Sequence, residues 1–422
     1  MNRGIFYIYP RLPQKPSEIP ELDVLSLPMT IILFLLTGAA AFIAVPTTVL
    51  MVEVLAAIFL NNHPEGGFDQ VSGSIAVLVP AHNESTGLIA TLDDVKSQLR
   101  SGDRLLVVAD NCTDDTAAVA ASAGAEVTVR SDPTKVGKGY ALDWGLKYLA
   151  VNPPDIIIIV DADCRIATSA LERLSSACAK MHRPVQALYL MTAPAGSPVN
   201  HQVAEFAWRL KNWVRPLGLS ALGLPCQLMG TGMAFPWQVA QLADLSNGFI
   251  VEDLKFGLEL ASAGYSPNFL PSAVVSSTFP TTAQGAELQR NRWEQGHLTL
   301  IMKTAPILLY QAFKDRNLGL VALVLDLMVP PISLFGLIVL LTVLISAGAL
   351  FVGLSLVPFA ISAACLIAIL VSITLAWANY SRDILPAKSI VLIASYCFAK
   401  IRLYKAVVFG RRISRWIRAD RS

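Results

Sequence analysis

Acidic side chains gather just beyond three short apolar runs of this 422-residue chain. Pro80-Ala-His-Asn-Glu84 follows Ser74–Val79, Asp110-Asn111 follows Arg104–Ala109, and Asp161-Ala-Asp163 follows Asp155–Val160. Like charges repel, so a fold gains nothing from collecting carboxylates unless a bound cation or a hydrogen-bonding ligand offsets the repulsion. An Asp-x-Asp suits a hard divalent ion, Mg2+ or Mn2+, which takes few protein carboxylates together with substrate phosphates. Alone, Asp161-Ala-Asp163 also reads as a solvated turn. Its place after Ile-Ile-Ile-Ile-Val, with two further acidic run ends, favours a binding role.

Later in the chain come Gly230-Thr231-Gly232, Glu252-Asp253 and Gln289-Arg-Asn-Arg292-Trp293. Glu252 and Asp253 open a helical stretch, where acids also serve simply to complement the helix N-terminus. Gln289 and Arg292 are three apart and share a helix face. An Arg, a Trp and a Gln together suit a diphosphate and a sugar ring, although a surface helix would carry the same residues. Lys138, flanked by Gly137 and Gly139 at a predicted helix start, can neutralise a phosphate with help from the helix N-terminus. There is no GxxxxGK[ST] and no GxGxxG after a strand, which excludes a P-loop and a dinucleotide fingerprint.

The elements that must position these residues alternate. β-branched runs at 74–79, 104–109, 126–130 and 155–160 are separated by helical stretches at 84–99, 113–123 and 139–149. Thr113 or Asp114 is a plausible N-cap for the second. Such alternation predicts βαβ units and a parallel sheet with 155–160 at its centre. Ligands of open α/β sheets bind beyond the carboxyl ends of the strands, where the acids lie.

Composition sets the wider frame. Hydrophobic residues make up 54% of the chain and charged residues 15%, against about 25% in ordinary globular proteins. That excludes disorder. A net charge of +2 with no basic aromatic stripe argues against a nucleic-acid partner. The six scattered cysteines, without a CxxC, read as reduced thiols. A bilayer core of about 30 Å needs roughly 20 apolar residues in helix. Residues 28–60 therefore hold one transmembrane helix, starting too late and running too long for a signal peptide. Pro46 marks where that helix would turn along the interface. Residues 318–378 hold two helices, with breaks expected at Pro330-Pro331 and near 353–358. Between lie a domain at 71–300 and an interfacial connection at 301–317. Residues 1–27 form an N-terminal segment. The basic, aromatic-containing segment 388–422 suits anionic membrane lipids and a cytoplasmic location.

Taken in order, Pro80-Ala-His-Asn-Glu84, Asp110, Gly137-Lys138-Gly139, Asp161-Ala-Asp163, Gly230-Thr231-Gly232, Glu252-Asp253 and Gln289-x-x-Arg292-Trp293 resemble the family 2 glycosyltransferases of GT-A fold. The likeness is to the membrane-bound branch that includes cellulose, chitin, hyaluronan and poly-N-acetylglucosamine synthases and bacterial exopolysaccharide transferases. It covers roughly 74–300 and the flanking apolar blocks. The resemblance implies an α/β GT-A domain, Rossmann-like with a mostly parallel sheet, flanked by transmembrane helices. It implies that Asn83, Glu84 and Asp110 contact the uridine end of a UDP-linked nucleotide-diphosphate sugar, with Lys138 nearby. Asp161 would face ribose and metal, and Asp163 would ligate Mg2+ or Mn2+. Gly230, Thr231, Gly232 and Glu252 would line the acceptor side, with Asp253 as catalytic base. Gln289, Arg292 and Trp293 would hold the diphosphate and the acceptor end. One departure is Asp143, where many relatives carry Asn.

The implied reaction is an inverting, metal-dependent transfer to a lipid-linked oligosaccharide or polysaccharide acceptor. It would take place on the cytoplasmic face of a multi-pass inner-membrane protein, in exopolysaccharide biosynthesis, with polysaccharide-assembly proteins as partners. A processive synthase that extrudes its polymer is the second version. A transporter is disfavoured, because transporters carry functional polar residues within their spans and here Asp326 is nearly alone. An inactive scaffold is disfavoured because Asp163 and Asp253 are both present.

Overall fold

The computed structural model describes residues 26–60, 73–194, 196–197, 199–242, 245 and 251–387. The segment expected at 388–422 and most of the one at 1–27 lie outside them. In chain order the elements are α1 (Ser26–Phe59), β1 (Ile75–Ala81), α2 (Leu88–Lys96), β2 (Arg104–Asp110), α3 (Thr116–Ser122), β3 (Glu126–Arg130) and α4 (Lys138–Leu149). Then come β4 (Ile156–Ile159), β5 (Arg165–Ile166), α5 (Ala170–Met181), β6 (Val185–Thr192), α6 (Val199–Arg209), a π-helical turn (Leu210–Val214) and α7 (Arg215–Ala221). The remainder is β7 (Met233–Pro236), α8 (Trp237–Ala240), α9 (Glu252–Ser262), β8 (Asn268–Thr278), α10 (Ala283–Lys303), α11 (Ala305–Lys314), α12 (Leu318–Leu327), α13 (Ile332–Phe351) and α14 (Val357–Tyr380).

The strands form one sheet in the order β3-β2-β1-β4-β7-β6-β8-β5. β3, β2, β1 and β4 are parallel, as the alternation predicts. The second half is mixed: β7 runs antiparallel to β4 and β6, β8 parallel to β6, and β5 antiparallel to β8. Side chains alternate across the sheet. Ile75, Val77 and Val79 enter one core, while Ala76 and Leu78 enter the other. The four isoleucines of β4 are all buried, as a strand covered on both faces requires.

Among the described residues, three helices are long and apolar enough to cross a membrane: Leu27–Phe59, Ile332–Phe351 and Val357–Tyr380. The expected turn at Pro46 is absent, and α1 continues through it as one helix of 34 residues. The Thr47 and Thr48 hydroxyls donate to the Ile43 and Ala44 carbonyls at 2.7 and 2.8 Å around the proline. At 1.5 Å per residue α1 is about 50 Å long, well beyond a bilayer core, so its C-terminal part reaches the α/β domain. There Arg215 Nε donates to Glu53 Oε2 at 2.7 Å, and Arg215 Nη2 donates to Asp326 Oδ1 at 2.5 Å and to the Asp326 carbonyl at 2.6 Å. All three residues are buried, so α1, α7 and α12 share one desolvated ion cluster. Removing one member of such a cluster strands the others, at a cost of about 3–5 kcal/mol. α11 exposes Ile307, Tyr310 and Phe313 and buries Ala305 and Ala312, giving the 301–317 connection an apolar outer face.

The joint also requires a glycine. A Cβ on Gly218 would lie 1.9 Å from the Glu53 carbonyl oxygen, a backbone atom that cannot step aside. Gly218→Val should therefore destabilise the detergent-purified protein by on the order of 1–3 kcal/mol, as overpacking does. Gly336→Val, in α13 with nothing within 4 Å of its Cβ position, should melt as the unchanged protein does. Equal thermal melts for the two variants would refute the tight joint.

Candidate active site

A cavity of about 300 Å³ opens at the carboxyl ends of β1, β2 and β4. Glu84, Asp110, Lys138, Asp161, Asp163, Gly230, Glu252, Asp253, Gln289, Arg292 and Trp293 all line it. Residues spread over more than two hundred positions thus meet at one rim. Asn83, Thr231 and Gly232 are not on its wall. Asn83, with φ of 55°, uses its Oδ1 to accept from the Thr113 N–H at 2.7 Å, tying the β1 loop to the β2 loop. Thr231 is fully buried, and its Oγ1 accepts from the Asp161 N–H at 3.0 Å. The Gly232 carbonyl accepts from the Ala187 N–H at 2.8 Å. These three shape the site from behind.

Asp110 is held by a residue that sequence reasoning passed over. Arg130, its register partner on β3, donates to Asp110 Oδ1 at 2.5 Å and to the Lys135 carbonyl at 2.8 Å. Burial pushes the Asp110 carboxyl up, and Arg130 opposes the rise. Position was the available signal: Arg130 closes the third strand as Asp110 closes the second. His82 Nδ1 donates to the Asp110 carbonyl at 2.7 Å.

Lys138 begins α4 and reaches across the cavity floor. Its Nζ pairs with Asp161 Oδ1 and donates to the Gly230 carbonyl at 2.7 Å. Burial alone would lower this ammonium, but Asp161, Glu252 and Asp253 outweigh it and hold it above its ordinary value. Gly230 has φ of +92°, and a Cβ there would sit 3.3 Å from Asp253 Oδ2 and 3.6 Å from Lys138 Nζ. The backbone conformation strains any side chain here, and the approach to Asp253 is tight. The loop is also tied from beneath by Gln186, which is fully buried: Nε2 donates to the Thr231 carbonyl at 2.9 Å and Oε1 accepts from the Met229 N–H at 2.8 Å. Thr91 Oγ1 lies 2.8 and 2.7 Å from the Ala162 and Cys164 carbonyls, anchoring the Asp161–Asp163 turn to α2.

Residues 72–296 match the family model described as "Glycosyltransferase like family 2", which is more than half of the chain. The chain belongs to this family of glycosyltransferases. An uncharacterized glycosyltransferase of Mycobacterium tuberculosis is 31% identical over 197 residues, covering 42% of this chain and 85% of the relative. Protein RfbJ of Shigella flexneri is 36% identical over 92 residues, 22% of this chain and 66% of that protein. Among solved structures, the mannosyltransferase PcManGT from Pyrobaculum calidifontis, in complex with GDP-Man and Mn2+, shares the fold. Its TM-score is 0.52 at 17% identity, over 89% of this chain and 100% of that one.

In this glycosyltransferase Asp161, Asp163 and Cys164 place potential ligand atoms within 4.8 Å of one another. Burial pushes the Cys164 thiol up to about 12, so it stays protonated at neutral pH. The effective donor set is then two carboxylates, which fits Mg2+ or Mn2+ and not a thiolate-seeking metal.

Glu252 and Asp253 form the first turn of α9, where the helix N-terminus favours negative charge. Burial nevertheless pushes the Glu252 carboxyl up to about 7, with Asp253 adding to the rise and Lys138 opposing it. Asp253 is raised too, chiefly by burial, against Lys138, the Leu254 N–H and Lys211. Trp293 lines the cavity. It packs against Trp208 at a tilt, with ring centroids 5.1 Å apart, and Trp208 Nε1 donates to the Tyr189 carbonyl at 3.0 Å. Gln289 is buried beside it, with Oε1 accepting no hydrogen bond. Asp143 accepts from Lys147 at 2.7 Å on the outer face of α4, away from the cavity.

A whole wall of the cavity escaped the sequence reading: Trp208, Lys211, Asn212 and Arg215, from α6 to α7. Helical spacing was the only signal, and it is shared by any amphipathic helix.

The acidic pair sets a pH dependence. The folded protein holds protons on Glu252 and Asp253 more tightly than the unfolded chain, so their charge destabilises the fold as pH rises from about 4.5 to about 7. Activity that needs an ionised pair should run the other way, with kcat/KM falling below about pH 7. Glu252→Gln should move that acid limb to lower pH, because the neighbouring charge is removed. A pH–rate profile of the variant with an unmoved limb would detach the pair from the reaction.

Proposed function

We propose that this glycosyltransferase transfers a sugar from a nucleotide-diphosphate sugar, UDP-linked, to a lipid-linked or polysaccharide acceptor, with inversion, in bacterial exopolysaccharide biosynthesis. The observation that carries this is the convergence of Asp161 and Asp163 with Lys138, Arg292 and the Glu252-Asp253 pair on one cavity. The nucleotide lies over Glu84 and Asp110. Asp163, with Asp161, holds Mg2+ or Mn2+, which when bound neutralises charge on the departing diphosphate. Arg292 adds a planar fork of donors to the phosphate oxygens. Asp253 accepts the acceptor hydroxyl proton as general base. The acceptor oxygen bonds to the anomeric carbon as the bond to the diphosphate breaks, and a single displacement inverts that centre. Limited addition is favoured over processive extrusion, because three membrane-length helices among the described residues are few to enclose a channel.

The three helices support a multi-pass inner-membrane protein with its catalytic domain in the cytoplasm, where nucleotide sugars are made. α13 then leaves the cytoplasm and α14 returns. A periplasm-active reporter inserted at Gly353, between them, should be active, and silence there would invert or abolish this topology.

Asp163→Ala should remove most transfer and weaken donor binding, and EDTA should do the same to the unchanged protein until Mg2+ or Mn2+ is restored. Full transfer in EDTA would exclude the metal. Asp253→Asn keeps shape without accepting a proton, so turnover with radiolabelled nucleotide sugars should fall at least about a hundredfold. Donor affinity should change little. A collapse of donor affinity with turnover largely kept would make Asp253 a structural residue.

A further inference from the structure

The wall built by α6, the π-helical turn and α7 carries two cations with different situations. π turns interrupt helices frequently at functional sites. Arg215 is committed to Glu53 and Asp326. Lys211, on the π turn, lines the cavity and makes no hydrogen bond or ion pair with the described residues. Burial holds its ammonium below the ordinary value, against the pull of Asp253, with Arg215 adding to the lowering and Asp326 and Glu294 opposing it. A half-buried cation without a bonded partner is a place for an anion.

Two glutamines, Gln227 and Gln289, line the same cavity. Gln227 Nε2 donates to the Leu323 carbonyl at 2.7 Å, which leaves its Oε1 as the free end. Among the described residues, neither that oxygen nor Gln289 Oε1 accepts a hydrogen bond, and both are buried. A buried carbonyl oxygen left without a donor costs about 1–3 kcal/mol, which a ligand hydroxyl recovers once the amide turns toward the cavity.

We infer that this wall is an acceptor subsite for a glycosyl phosphate, with Lys211 binding the phosphate and Gln227 and Gln289 accepting from sugar hydroxyls. The inference rests on the glycosyl-transfer reading and names the acceptor class for it. Lys211 supplies the counter-charge that lets an anionic acceptor approach the Asp253 carboxylate, whose like charge opposes it. Leu219 and Leu327 line the same cavity and belong to α7 and α12, the helices packed on α1. An acceptor carried on a lipid and a soluble sugar phosphate share this chemistry.

Three probes separate the readings in binding measurements on the full-length protein in nanodiscs: farnesyl-phosphoryl glucose, octyl glucoside and glucose 1-phosphate. The first should bind at least about tenfold more tightly than octyl glucoside, as a charge-assisted contact allows. Lys211→Met, which keeps the apolar stem, should shrink that ratio to about twofold or less, and Lys211→Arg should retain it. Exposed Lys147→Met should leave it unchanged. Thermal melts confirm that each variant is folded. If glucose 1-phosphate binds as tightly as the farnesyl probe, the acceptor is a soluble sugar phosphate; if it binds only weakly, the acceptor is lipid-borne. A charge preference that is absent from the unchanged protein, or that survives in folded Lys211→Met, overturns the inference. Donor binding is measured separately with UDP-glucose and GDP-mannose, and its absence would sink the transferase reading without touching the charge preference.

Discussion

One ammonium holds the rim of this site together. Lys138 meets Asp161 directly, reaches the Gly230 carbonyl, and sits within the fields of Glu252 and Asp253. Without it, three carboxylates brought together by a sheet edge and a helix start would repel one another in a desolvated space. The rest of the local architecture follows from letting this contact form. Gly230 must hold a conformation that strains a side chain, Gln186 must tie the loop from below, and Thr231 must fix the Asp161 backbone. The acids are thus neither a solvated turn nor a simple helix cap. They form one charge cluster on the wall of a shared cavity.

A second buried ion cluster does a different task. Arg215, between Glu53 and Asp326, joins the long first helix to the domain and to α12. Such clusters are poor sources of net stability but strongly penalise any arrangement that separates their members. Here the consequence is registration. α7 cannot slide along α1 without stranding Arg215, and Gly218 brings the two backbones into contact one turn away. Because Arg215 and Asp326 also line the cavity, the apolar helices and the chemistry-bearing rim share a wall.

Much of the first half of the fold was legible because its signals are local. β-branched runs four to seven residues long, separated by amphipathic stretches, specify βαβ units whatever else the chain does, and β4 could only be central with every side chain apolar. The mixed second half was not legible. β7 owes its direction to a long excursion through α6 and α7, and β8 to a connection through α8 and α9, whose returns no periodicity encodes. The continuous passage of α1 through Pro46 was equally hidden, since its continuation depends on packing against α7 and α14.

The sequence by itself determined which residue types could do chemistry and where along the chain they stood: acids at strand ends, a lysine at a helix start, an Arg and a Trp on one helix face. Strand ends and helix starts are set by neighbours a few residues away, so motif and element arrive together. Only the tertiary structure decided which of these share a cavity. It put Asp110 under Arg130, moved Asn83, Thr231 and Gly232 behind the wall, packed Trp293 against Trp208, and added Lys211 and Arg215. Those relations join positions 20 to about 160 residues apart. They are fixed by burial and charge pairing across elements, forces that depend on distance in space and leave no period in the chain.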